Sequence, residues 1–245
     1  SSDGNTIAIG AHENSNRTGT VRIYENIGGI WNKIGQDIDG ESVGDLHGWS
    51  VSLSDDGSIV AIGAPFNNSF SGEVSIYENI SGSWTQIGQD IQGVNWFGYS
   101  VSLSSDGNKV AIGAIQGSGH VSIYENVGGS WSQIGQDING NMSNGQFGIS
   151  VSISGDGNTV AIGDRINDAN GYWSGQVRIF ENISNSWTQI GQNIDGEAAG
   201  DLCGQQTSLC SDGNIVAIGA RANEDNGPSA GHVRIFEKTG GSWVQ

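Results

Sequence analysis

The chain has 245 residues, 41 of them glycine and only two proline, and its 26 acidic against nine basic side chains give a formal charge of −17. That excess of carboxylates disfavours a phosphate backbone as partner, so nucleic acid is excluded, and no stretch reaches the ~18 apolar residues that would insert in a membrane. Neither a collagen period nor the composition of a disordered tail is present, and any targeting segment is expected to be removed or to lie outside the sequence.

Read from the N-terminus, one phrase returns: "SSDGNTIAIGA" at residues 1–11, "SVSLSDDGSIVAIGA" from Ser50, "SVSLSSDGNKVAIGA" from Ser100, "SVSISGDGNTVAIGD" from Ser150 and "TSLCSDGNIVAIGA" from Thr207. The residues preceding "AIG", Ile7, Val60, Val110, Val160 and Val216, are 53, 50, 50 and 56 positions apart, a period that belongs to repeat architectures. Within each period four strands are expected. The first alternates ("SVSLS"), the second is a continuous apolar run ("IVAIGA"), the third reads "GEVSIYEN", and the fourth begins at a tryptophan and runs on through "WTQIGQDI". Asp-Gly between the first two and "ISG" or "VGG" between the last two are tight-turn signals. Four strands covered on both faces, repeating at this period, predict an all-β chain: a β-propeller of four-stranded antiparallel blades, with a solenoid as the runner-up. We place one domain at residues 1–245, with repeats at about 1–48, 49–97, 98–147, 148–203 and 204–245.

"FGYSVSLSSDGNKVAIGA" followed by "GHVSIYE" resembles an FG-GAP repeat, the blade unit of integrin α-like propellers and of many secreted and surface proteins. The FG pair is plain in Phe97-Gly98 and Phe147-Gly148 and altered in His47-Gly48 and Cys203-Gly204, while Gly63-Ala64-Pro65 is a literal GAP. The resemblance implies a secreted or cell-surface setting, a larger parent propeller of seven blades, and recognition on the face that carries the second-to-third and fourth-to-first strand connections.

Those connections are where repeats differ in length, from Ile115–Ser118 to the ten residues of 165–174 and 221–230. Loops of variable length on a rigid scaffold are common binding elements. The ligand-binding candidates there are Glu41, Asp45, His47, Trp49, Trp96, Asp168, Trp173, Glu197, Asp201, Glu224 and Asp225. Trp49, Trp96 and Trp173 are the tryptophans outside the repeated position; Trp31, Trp84, Trp131, Trp187 and Trp243 recur and read as packing. Oxygen-rich loops nominate Asp164, Asn167, Asp168, Asn223 and Asp225 as calcium ligands, although turn-forming roles explain the same residues. Cys203 and Cys210, roughly 23 Å apart on extended chain, read as small apolar substitutes rather than a disulfide.

No GxSxG, HExxH or phosphate loop is present. The expectation is therefore a non-enzymatic binding or adhesion module for a protein or glycan, without cofactor. A structural spacer in an extracellular assembly is the alternative, and a glycoside-cleaving propeller the more distant one.

Overall fold

The structure is a computed structural model and describes residues 1–143 and 145–245. It is all-β and propeller-like, with five antiparallel sheets in chain order. The first holds β1 (Thr6–Ala11), β2 (Thr20–Ile27), β3 (Ile30–Lys33) and β4 (Ile38–Asp39). The second holds β5 (Ser50–Leu53), β6 (Ile59–Ala64), β7 (Glu73–Ile80), β8 (Ser83–Gln86) and β9 (Ile91–Gln92). The third holds β10 (Phe97–Leu103), β11 (Lys109–Ala114), β12 (His120–Val127), β13 (Ser130–Gln133) and β14 (Ile138–Asn139). The fourth holds β15 (Phe147–Ile153), β16 (Thr159–Asp164), β17 (Gln176–Ile183), β18 (Ser186–Gln189) and β19 (Ile194–Asp195). The fifth holds β20 (Cys203–Leu209), β21 (Ile215–Ala220), β22 (His232–Thr239) and β23 (Ser242–Val244).

The repeated residues make one interface four times. Each sheet turns its Ala-Val-Ile face toward the next sheet, as where Val21, Ile23 and Ile38 meet Val60, Ile62 and Trp84. Full burial of such side chains contributes roughly 1.5–3 kcal/mol each. The recurring tryptophan closes the seam: Trp84, Trp131, Trp187 and Trp243 donate from Nε1 to the carbonyls of Ile34, Ile87, Ile134 and Ile190 in the preceding sheet. Gln36, Gln89, Gln136 and Gln192 donate back to the tryptophan carbonyls.

Two glycines per repeat explain the "FG" and "IGA" phrases together. A Cβ on Gly113 would lie 2.2 Å from the carbonyl oxygen of Gly148, which itself has φ +90. Strands of neighbouring sheets thus approach at a spacing no side chain tolerates.

At the Asp-Gly end, turns join sheet to sheet in one direction. Ser2 donates its N–H to Asp55, Asp55 to Ser105, Ser105 to Gly155 and Gly155 to Ser211, each at 2.8–2.9 Å.

Two expectations change. The fourth strand is not continuous: after β3 the chain turns at Gly35 (φ +68) and only then forms β4, which pairs with β2 beside Thr20 and Val21. The break sends Gln36 to the neighbouring tryptophan, an interaction a straight strand could not make. Trp31, expected to pack, is 43% exposed: among the described residues nothing supplies it with the carbonyl and glutamine that hold its four counterparts. The outer faces of the series stay open at both ends, with Ile7 and Ile9 on β1 and Val233 and Ile235 on β22 exposed.

Candidate functional site

Inner strands β5, β10, β15 and β20 lie side by side, tied by N–H groups of Leu103, Ile153 and Leu209 donating to Ser52, Ser102 and Ser152. At their loop end a cavity of about 410 Å3 opens, lined by His12, Trp49, Tyr99, Ile149, Gln205 and the serines of the inner strands. Every sheet of the series contributes. The residue after each "FG"-type glycine points here: Trp49, Tyr99, Ile149 and Gln205.

One wall is aromatic. Trp49 is the hub, with ring centroids 5.0 Å from His12, 5.2 Å from Tyr99 and 5.6 Å from Phe66. Trp96 extends the wall, 5.1 Å from Phe66 and stacked on Tyr99. Burial raises the Tyr99 phenol above its ordinary value, and Arg165 opposes that rise. Arg165, next to the cavity residue Gln205, donates to it from Nη1 at 2.7 Å and to Gln146 from Nε. Burial lowers the Arg165 guanidinium, and the nearby charge of Arg221 acts in the same direction. Arg165 and Arg221 are thus two of the nine basic residues of a strongly acidic chain that lie near enough to repel each other.

The expected binding residues divide. Trp49 and Trp96 join the wall, whereas Trp173 stacks on Tyr172 at 4.6 Å as a separate exposed pair, its loop closed by the Trp173 N–H donating to Asp168. His47 does not face a ligand. It fills the place Phe97 occupies one repeat later, is 5% exposed, and burial drives its pKa down to about 4. Asp45 and Asp201 are buried and accept from loop N–H groups and from the amides of Asn67 and Asn223, so they brace loops. Glu41 and Glu224 stand exposed and line no part of the cavity.

The calcium candidates divide too. Asp164 accepts from Gln146 N–H and the Asn167 amide, and Asn223 is spent on Asp201, so both carboxylates face hydrogen-bond donors. Among the described residues, carboxylates and imidazole close enough for a shared ion meet at Glu197, Asp225 and His232. His12, Phe66, Tyr99 and Arg165 were missed by sequence reasoning. The signal was there: they and Arg221 sit within three residues after the repeated glycines, at places where the repeats disagree. Both cysteines are free, Cys203 in the Phe97 place and Cys210 bonding Asp212 as serine does elsewhere.

The sequence matches no family model and no curated protein. Among solved structures, 564 chains match, so the fold alone selects no activity. One is a "putative 6-phosphogluconolactonase" from Bacteroides uniformis ATCC 8492, similar over 98% of this chain and 67% of that one, with a TM-score of 0.67 and 12% identity. At that identity the likeness establishes the fold. It also corrects two expectations, that the chain is a non-catalytic adhesion module and that it is not an enzyme. The first rested on the variable loops and the FG-GAP resemblance and the second on the lack of a local catalytic motif, whereas this fold, in which residues from distant repeats converge on one cavity, is shared with a protein named for an enzyme.

Proposed function

We propose that the mouth between the sheets binds an anionic sugar derivative and that the chain acts there as a hydrolase of the sugar-lactone class. The observation that carries the proposal is the pairing, on one cavity of about 410 Å3, of the His12–Trp49–Tyr99 wall with Gln205, behind which Arg165 donates to the Gln205 amide. An indole face takes the C–H face of a sugar ring, amides take hydroxyls, and a guanidinium takes a phosphate or carboxylate. The name carried by the structural neighbour supports testing lactones first. Ring opening adds a water oxygen to the lactone carbonyl carbon and breaks the ring C–O bond, yielding an alcohol, a carboxylate and a released proton. His12 is the imidazole placed at the mouth to take that proton from water. The open faces on β1 and β22 support a companion reading, in which further blades of the same FG-GAP-like repeat complete a closed propeller.

The test is proton release in a pH-stat from a 6-phospho sugar lactone and from its unphosphorylated counterpart, corrected for spontaneous opening. The chain is expected to open the phosphorylated lactone faster, Arg165→Met to erase that preference, and His12→Ala to lower kcat about 100-fold. Release at the spontaneous rate with the unaltered chain overturns the hydrolase reading.

A further inference from the structure

The start of each third strand faces the connection arriving from the preceding sheet, which gives the chain four versions of one slot. Between the first and second sheets the slot holds Glu41 near Glu73, and between the second and third it holds Val94 near His120. In the third-to-fourth slot the corresponding residues are Asn141 and Gln176. The fourth-to-fifth slot is different in kind: Glu197 stands opposite His232, and the long 221–230 loop brings Asp225 to them.

Ligand atoms of these three side chains lie within 4.8 Å of one another. The Nε2 of His232 is shielded from solvent and has no hydrogen-bond partner, and it stands 3.6 Å from Glu197 Oε2. A shielded imidazole nitrogen without a partner is costly unless something accepts its lone pair or its proton. Arg234 lies 3.7 Å from the other oxygen, Oε1, and is itself anchored by donating to the Asp195 carbonyl. It therefore fixes the carboxylate with Oε2 turned to the histidine, the outer support that ligating carboxylates usually have. His120 offers the same imidazole at the same register without any of this: it sits beside Phe97, its neighbour across the slot is Val94, and its loop is short.

We propose that Glu197, Asp225 and His232 form a binding site for a divalent first-row transition cation. One imidazole nitrogen with two carboxylates suits a borderline ion such as zinc better than calcium, which takes six to eight oxygens. Water completes the coordination. Because Glu197 follows β19 of the fourth sheet while Asp225 and His232 belong to the fifth, the ion pins the 221–230 loop across a seam between sheets.

The test is titration calorimetry of the whole chain with zinc chloride, and separately with calcium chloride, at pH 7.5, with circular dichroism to verify folding of each variant. One saturable zinc site is expected, weakened at least about tenfold in Glu197→Gln, Asp225→Asn and His232→Ala and unchanged in His120→Ala. Zinc should raise the melting temperature of the unaltered chain and not of His232→Ala. Absence of a saturable zinc site, a site that survives His232→Ala, or calcium bound as tightly as zinc each overturns the proposal.

Discussion

The two ends of the sheets obey different rules. At the Asp-Gly end every repeat does the same thing: Asp56, Asp106 and Asp156 each accept from the serine two residues before and from the backbone N–H two residues after. Asp3, held by Ser1 and Asn5, has a pKa lowered to about 2. At the loop end the repeats diverge in length and sequence, and side chains from several sheets meet at one cavity. A polar group whose partner lies two residues away needs nothing from outside its repeat. Loop residues such as Arg165 and Asn67 also find partners across sheets, which is where the binding chemistry collects.

Three tests sharpen that contrast. The largest effect is expected at the repeated glycine contact. Gly113→Ala places a Cβ 2.2 Å from a carbonyl oxygen and should cost about 3 kcal/mol, whereas Gly219→Ala, whose nearest foreign atom would be 3.7 Å away, should fall within about 0.5 kcal/mol of the unaltered chain. Urea melts of the two variants measure the difference, and equal costs would mean that the seam is not what demands glycine.

His47 comes next. Its folded pKa of about 4 lies below the ordinary 6.5, so the unfolded chain binds the extra proton first and stability is lost as pH falls through that window. His47→Phe, the residue of the next repeat, should remove a loss of about 3 kcal/mol between pH 7 and 4, read from melts across that range.

The smallest effect is at Glu73. Burial raises its carboxyl to about 7 despite the Gln92 amide that donates to it. A raised carboxyl favours the folded state below its unfolded value of 4.5 and loses that advantage as pH climbs through 7. In the fourth sheet the same two places hold Gln176 and Asp195, with donor and acceptor exchanged. The double change Glu73→Gln with Gln92→Asp should therefore abolish the titration and add about 1 kcal/mol at pH 8, visible as a flattened stability profile.

Much of this arrangement was legible from residues 1–245 read as a line. The five Asp-Gly turns, the apolar run before "AIG" and the recurring tryptophans marked strands and seams, because turn chemistry and periodicity are local. The break at Gly35 was hidden, since "WNKIGQDI" alternates as smoothly as one strand, and only the neighbouring tryptophan explains why Gln36 must leave the sheet. His47 was misplaced for the opposite reason. Its loop is polar, yet its alignment with Phe97 already marked it as a core position. The cavity was invisible as a site because Trp49, Tyr99 and Gln205 sit at one aligned position in different sheets, and a convergence of that kind has no spacing along the chain.

The turn-to-turn hydrogen bonds from Ser2 to Asp55 and onward to Ser211 all point the same way. The series is therefore vectorial, with unlike ends, in the manner of a polar filament. A blade can join it in one orientation alone, since a reversed blade would set carbonyl against carbonyl. Because the tryptophan, glutamine and glycine contacts recur at every internal seam, duplicating or deleting a whole repeat keeps those contacts and changes only which loops meet. The unit of tolerated change in this protein is then about 50 residues rather than one.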